Sequence, residues 1–282
     1  MPQSFTLTLT CAQRPGIVHA VSSFLLQQNC DIAEHQQFDD TQNGAFFLRT
    51  SFVPLDDMDV RTLTSRFRAT ATEFGMNFEF SNDEPARVIV MVSRMGHCLN
   101  DLLFRWRAGS LGGDIVAVVS NHLDLRRMAE AADLPFFHIP VTPATKPQAE
   151  EELLQLVERY DADLVVLARY MQVLSDDSCR ALYGRAINIH HSFLPGFKGA
   201  KPYHQAFDRG VKLVGATAHY VTADLDEGPI IEQEVIRIDH SYDPARLATV
   251  GRDAEALALS RAVRWHCERR VLLYGNRTVV LR

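Results

Sequence analysis

The chain has 282 residues, of which 46% are hydrophobic and 23% charged, and its formal net charge is −6. That balance fits a globular protein and excludes disordered, collagen-like and coiled-coil classes; at about 100–200 residues per domain it allows one large domain or two ordinary ones. The acidic excess argues against wholesale contact with nucleic-acid phosphates, and no apolar run approaches the ~20 residues that cross a bilayer. The start, Met1-Pro2-Gln3-Ser4-Phe5-Thr6, lacks the basic and apolar regions of a signal peptide. The cysteines (Cys11, Cys30, Cys98, Cys179, Cys267) form no C-x-x-C pair. Both features predict reduced thiols in a cytoplasm rather than disulfides or a zinc site.

In chain order, Phe5–Thr10 alternates with period two, as a half-buried strand does. The turn Gln13-Arg14-Pro15-Gly16 opens a helix carrying Ile17, Val18, Val21, Phe24 and Leu25, with Asn29 as its stop. Strand-like runs near Ile32–Asp39 and Gly44–Phe52 follow, then an amphipathic helix over Asp59–Phe74 and a strand at Met76–Phe80. This order predicts a ferredoxin-like α+β unit over residues 1–84, with the polar Ser81-Asn82-Asp83-Glu84-Pro85 as the boundary.

Over residues 85–282 the rhythm changes. Arg87–Val92, Asp114–Val119, Phe137–Ile139 and Leu164–Ala168 read as buried strands, alternating with helices at Leu99–Trp106, Leu123–Ala132 and Gln148–Tyr160. Such alternation predicts parallel βαβ units in an open doubly wound α/β sheet, with ligands beyond the carboxyl ends of the strands. A helix over Glu255–Arg269 and a hairpin turning at Gly275-Asn276 complete the reading.

The densest polar constellation lies between Asn188 and Asp226. In Asn188-Ile189-His190, alternate side chains share one strand face. Alone, that pair reads more readily as a polar strand end, with His190 satisfied by a backbone carbonyl. A second piece, Thr217-Ala218-His219-Tyr220-Val221-Thr222-Ala223-Asp224-Leu225-Asp226-Glu227-Gly228-Pro229, adds a further histidine and an acidic loop. Together the two supply an amide donor, an imidazole and a carboxylate, the parts needed to stabilise an oxyanion and activate water or an amine at a carbonyl. There is no Gly-x-Ser-x-Gly elbow, P-loop or Gly-x-Gly-x-x-Gly after a strand. His190, His191, His204 and His219 lack the converging spacing of a zinc site, so no metal is expected.

Asn188-Ile189-His190-x-Ser192-x-Leu194-Pro195, followed by His219 and Asp226-x-Gly228-Pro229, resembles the active-site signature of the formyltetrahydrofolate-dependent transferases. The transformylases usually carry proline after the histidine. Here that residue is His191, and His190-His191-Ser192-Phe193-Leu194-Pro195 is similar to the formyltetrahydrofolate deformylases. The loop Ser93-Arg94-Met95-Gly96-His97-Cys98-Leu99, with its single glycine, also looks like the deformylase loop rather than the Gly/Ser/Asn-rich phosphate loop of the glycinamide ribonucleotide transformylases. The N-terminal unit resembles an ACT domain, a module often used to sense amino acids, although Gln13 stands in place of the frequent aspartate.

The resemblance implies a Rossmann-like formyltransferase domain preceded by an ACT domain. The implied activity is hydrolysis of 10-formyltetrahydrofolate to formate and tetrahydrofolate, supplying formate for purine synthesis. It further implies Asn188 and His190 as oxyanion donors and Asp226 as the group that activates or orients water, or holds His190 charged. Met171, Gln172, Val173 and Leu174, together with His219, Val221, Thr222 and Ala223, would line the pterin pocket, with His219 positioning Asp226. No cofactor beyond the folate is implied. An amino-acid effector and a homo-oligomer, dimer or tetramer, are expected from the ACT likeness. Lys198 and Lys201 read as a solvated loop, with attraction of the folate's glutamate tail as the alternative. Two other functions stay open from sequence: an amine formyltransferase, and a folate- or amino-acid-binding regulator without catalysis. A tRNA-directed formyltransferase would need a further tRNA-binding domain and a basic surface, and neither is read here.

Overall fold

Phe5, Leu7 and Leu9 alternate inward along the first strand, β1 (Phe5–Ala12), and are buried. In the computed structural model, which describes residues 4–196 and 202–282, the chain divides into two units. The first holds residues up to Glu84 together with Arg269–Tyr274 and Val279–Arg282. After β1 come α1 (Ile17–Gln27), β2 (Cys30–Asp40), β3 (Ala45–Pro54), α2 (Val60–Phe74) and β4 (Asn77–Asn82). The antiparallel sheet has the order β2-β3-β1-β4, the ferredoxin-like arrangement. Asn29, in the left-handed conformation, ends the first helical segment. Asp59 caps α2 by accepting from the Thr62 amide at 2.6 Å, and Gly75 closes it at φ +62°. Phe24, Phe67 and Phe80 form the centre of the core, with ring centroids 4.9 Å apart for Phe24–Phe67 and 5.5 Å for Phe67–Phe80.

β3 is buried along most of its length, and the sequence past residue 268 explains why. Phe46, Leu48 and Phe52 join the core under the helices, while Phe47 is covered by Leu272 and Leu281 with Tyr274 and Val279. These last residues belong to β12 (Val271–Tyr274) and to the segment that includes β13 (Arg277–Val280). The expected hairpin is therefore present, but residues 269–274 and 279–282 group with the first unit instead of the second. Period-two patterning identifies the strands and carries no information about which sheet face they cover.

The second unit comprises Pro85–Glu268 and Gly275–Thr278. In chain order its elements are β5 (Ala86–Val92), α3 (His97–Arg107), β6 (Gly113–Ser120), α4 (Arg126–Glu130), β7 (Phe136–His138), α5 (Lys146–Arg159), β8 (Leu164–Leu167) and α6 (Asp176–Ala181). There follow β9 (Ala186–His190), α7 (Pro202–Asp208), β10 (Leu213–Tyr220), β11 (Ile230–Arg237) and α8 (Pro244–Cys267). Its seven-stranded sheet has the order β11-β10-β9-β8-β5-β6-β7. β9, β8, β5, β6 and β7 run parallel, as the alternation of strand and helix predicts, and β10 and β11 add two antiparallel strands at one side.

Two helices differ from the sequence expectation. α4 covers only five residues, because Ser120 Oγ accepts from the His122 amide and turns the chain through residues 121–125, and Asp133 at φ +58° stops it. α8 begins eleven residues before Glu255: Asp243 caps it by accepting from the Arg246 amide at 2.7 Å, and Pro244 occupies its first turn. No helix among the described residues is long and apolar enough to cross a membrane. The five cysteines are free thiols, four of them buried. Lys198 and Lys201 lie outside the described residues.

Candidate active site

The pairing of β9 with β10 brings the two sequence pieces together. Antiparallel register sets Asn188 opposite His219, and His190 opposite Thr217. The His219 ring places Nδ1 at 2.9 Å from the Tyr220 carbonyl, to which it donates. Its Nε2 then accepts from the Asn188 amide at 3.3 Å. One Asn188 N–H is thereby used to fix the side chain, and the amide retains a second donor.

Thr217, fully buried, holds the turn after β9. Its hydroxyl donates to the Ser192 carbonyl at 2.9 Å and accepts from the Leu194 amide at 3.1 Å. Gln233 on β11 donates to the Leu194 carbonyl at 3.0 Å. The turn that carries His190 and His191 is thus pinned by side chains of the neighbouring strands.

Asp226 reaches the site from the loop after β10. A Cβ at Gly228 would lie 1.7 Å from the Tyr220 carbonyl oxygen, so the loop lies this close to β10 only because residue 228 is glycine. Tyr220 donates its amide to the Pro229 carbonyl at 2.9 Å, and Asp226 itself adopts φ +58°, a conformation aspartate tolerates. Asp226 Oδ2 lies 3.1 Å from His190 Nδ1, and Oδ1 lies 3.8 Å from His219 Nε2. Burial works against the charged carboxylate. The hydrogen bond and charge of His190 outweigh it, and Asp226 is held well below the usual aspartate range. His190 is buried, and its Nε2 has no hydrogen-bond partner among the described residues.

Asn188, His190, His219 and Asp226 line one cavity of about 630 Å³, within the range of small-molecule sites. Met171, Gln172, Val173 and Leu174 line it too, as do Val221 and Thr222. Ala223 does not: it is exposed on the loop, outside the cavity lining. The segment after β8 is anchored from below. Glu150 on α5 accepts from the Ser175 amide at 2.9 Å and from the Ser178 hydroxyl at 2.6 Å, and the Met171 amide donates to Ser93 Oγ at 3.0 Å. Met171, Val173 and Leu225 are each more than half exposed at the cavity, an apolar surface suited to a flat ring.

Beside the cavity lies a buried cluster that the sequence motifs did not reveal. Glu255, 1% exposed, accepts from Tyr203 at 2.7 Å, pairs with His97 Nε2 at 2.8 Å and lies 3.4 Å from Arg169 Nε. Burial pushes its carboxyl up, but the His97 hydrogen bond, the Arg169 charge and the Tyr203 hydroxyl prevail and hold it below the usual glutamate range. Burial and the Glu255 charge push the Tyr203 hydroxyl up, so it remains a donor. Gly251, one turn before Glu255, leaves the space that Tyr203 fills; a Cβ there would lie 2.0 Å from its hydroxyl. One signal was legible: Glu255 sits on the stripe of α8 that also carries buried Ala254, Ala258 and Leu259, where a lone acid requires a partner. Among the described residues, His97, Cys98 and Glu255 bring donor atoms within 4.8 Å of one another. Both Glu255 oxygens are already engaged, and burial raises the Cys98 thiol well above its ordinary range, which disfavours the thiolate a metal would need.

Comparison with known proteins gives the family. A family model described as formyl transferase matches residues 86–263. A formyltetrahydrofolate deformylase from Corynebacterium sp. (strain P-1) is 54% identical over 98% of this chain and 97% of its own length. The crystal structure of a formyltetrahydrofolate deformylase from Burkholderia mallei ATCC 23344 is similar at a TM-score of 0.94 and 52% identity, over 100% of both chains. That of a glycinamide ribonucleotide transformylase 1 from Symbiobacterium toebii is similar at a TM-score of 0.65 and 32% identity, covering 70% of this chain and 95% of that one.

Proposed function

The chain belongs to the formyltetrahydrofolate deformylases, within the formyl transferase family, and we propose that Asn188, His190 and Asp226 carry its hydrolysis of 10-formyltetrahydrofolate to formate and tetrahydrofolate. One observation carries this assignment. His190 binds Asp226 through Nδ1, while its buried Nε2 lacks a partner among the described residues, in the lining of a cavity of ligand size. A buried donor without a partner costs about 1–3 kcal/mol, and a carbonyl oxygen in the cavity would satisfy it.

In this reading the formyl oxygen sits between the free N–H of Asn188 and His190 Nε2. Water oxygen bonds to the formyl carbon, and the carbonyl π pair moves onto oxygen. The two donors stabilise that oxyanion, each well-placed donor contributing about 3–4 kcal/mol. The C–N10 bond then breaks, its electron pair stays on N10, and His190 supplies the proton that N10 takes up. Of the two roles expected for Asp226, the 3.1 Å contact supports stabilising the His190 imidazolium over taking the proton of water. The pterin ring is placed against Met171, Gln172, Val173, Leu174, Val221 and Thr222, and the reading uses no cofactor beyond the folate.

The test is a formate assay with 10-formyltetrahydrofolate and no amine acceptor. Formate and tetrahydrofolate should appear in equal amounts. Release of formyl groups only when an amine is added would make the protein a transferase instead.

The first unit is assigned to regulation and assembly, and the whole chain to the cytoplasm, where its formate would feed purine synthesis. β2 and β4 are the edges of its sheet, which suits pairing of copies into a dimer or tetramer. An amino acid such as glycine or methionine should bind there and change the rate of hydrolysis. Calorimetry with a panel of amino acids checks this, and a panel without binding heat would leave assembly as the unit's only role.

A further inference from the structure

The reaction above assigns the donors and leaves the attacking water without an acceptor. Most groups at the cavity that could accept its proton are already committed. Asp226 Oδ2 is held by His190, Oδ1 faces His219 Nε2 at 3.8 Å, and a carboxyl held this far below the usual range is a weak base. Glu255 is taken up by Tyr203, His97 and Arg169. His219 spends one nitrogen on the Tyr220 carbonyl and the other on Asn188. Asp224 and His204 are exposed, with water rather than the cavity as their main surroundings.

His191 differs from all of these. It lines the cavity, is only part exposed, and makes no hydrogen bond among the described residues. Its ring stacks on that of His190, with centroids 5.1 Å apart and planes inclined by 27°, and Tyr203 flanks it at 6.2 Å. The backbone beneath it is fixed by Thr217, which bonds both Ser192 and Leu194. Burial, and then the charges of Arg169 and His190, push the His191 imidazole down to about 4. Near neutral pH the ring is therefore uncharged and presents a lone pair beside the proton donor of the reaction.

We propose that His191 is a further catalytic residue, which holds the attacking water through a ring nitrogen and takes the proton the water sheds. The inference rests on the hydrolytic reading above. As the water oxygen bonds to the formyl carbon, one water proton passes to His191. His190 gives its own proton to N10 as the C–N10 bond breaks. The second water proton leaves with the formic acid and is lost to solvent as formate forms. The proton on His191 then returns to His190 and restores both rings.

The test uses the full chain and two variants, His191→Phe and His191→Asn, with hydroxylamine as a second nucleophile that attacks without water. Formate and formohydroxamate are measured from the same reaction, with the KM for the folate. In His191→Phe, formate release should fall by about 10²-fold, the lower end for general-base loss. Formohydroxamate yield and KM should change by less than about threefold, and His191→Asn should recover part of the formate signal, because its amide oxygen can hold the water. Undiminished formate release in His191→Phe overturns the proposal. So does a parallel loss of both products in both variants, which would mark the ring as a structural support. Failure of the unaltered protein to release formate would overturn the hydrolytic reading, and this proposal with it.

Discussion

Asp226→Asn is expected to lower kcat for formate release by about 10³–10⁴-fold and to leave the KM for the folate within a few-fold. The magnitude follows from comparable carboxylate-to-amide changes beside a catalytic imidazole. It corresponds to about 4–5 kcal/mol of lost transition-state stabilisation. The carboxylate touches His190 Nδ1 at 3.1 Å and stands on a loop whose backbone is set by Gly228. Asparagine has the same shape, so the loop and the cavity should persist. It carries no charge to stabilise an imidazolium, so the ring stays neutral, and an NH2 group donating to Nδ1 leaves the single ring proton on Nε2. The donor facing the formyl group is then a neutral N–H, too weak an acid to protonate N10 and a poorer partner for the oxyanion than the charged ring, while the walls at Met171, Val173 and Leu225 remain for the pterin. Steady-state kinetics with a folate-binding titration checks the outcome. A kcat within tenfold of the unaltered protein would remove Asp226 from the chemistry.

The second large effect is on stability. Glu255→Ala is expected to cost about 3–5 kcal/mol, the range for removing one partner of a buried charged pair, because Arg169 is left buried beside His97 without its counter-charge. For a chain of this size that corresponds to a fall in Tm of roughly 10 °C. The pH dependence has a defined sign. The Glu255 carboxyl is held below its ordinary value of 4.5, so its stabilisation is fully present above that value. It is lost as the pH falls through the lowered value of the folded protein. The Tm difference between the two proteins should thus be largest near neutrality and shrink in acid. Thermal unfolding across that pH range measures it, and a difference below about 1 kcal/mol at neutral pH would show that Arg169 finds another partner.

The legibility of this molecule in its sequence depended on how local each signal was. Period-two runs such as Phe5–Thr10 and the apolar run before Val92 depend only on neighbours, and they read correctly. So did the pairing of Asn188 with His190, because alternation along one strand brings them to the same cavity. What escaped depended on partners distant in sequence. β3 shows an almost continuous buried pattern only because Leu272 and Leu281 cover Phe47. Glu255 gains meaning from His97, 158 residues away. The start of α8 was present as Asp243-Pro244, a cap followed by a first-turn proline, but was obscured because Gly251 interrupts the helical pattern between it and Glu255. Ala223 was carried into the pocket lining by its neighbours Val221 and Thr222, whereas the loop turns it outward.

The covering of Phe47 has a consequence for the order in which the protein can be made. Between Glu84 and Arg269 lie 184 residues, all of which leave the ribosome before the segment that completes the first unit. The four-stranded sheet can form early, but one of its faces stays bare until Leu272 and Leu281 are synthesised. During that interval Phe47 and Ala45 are an exposed apolar patch on a nascent chain, the type of surface chaperones bind. Vectorial synthesis, rather than the packing of the finished sheet, thus decides when the N-terminal unit becomes safe from aggregation.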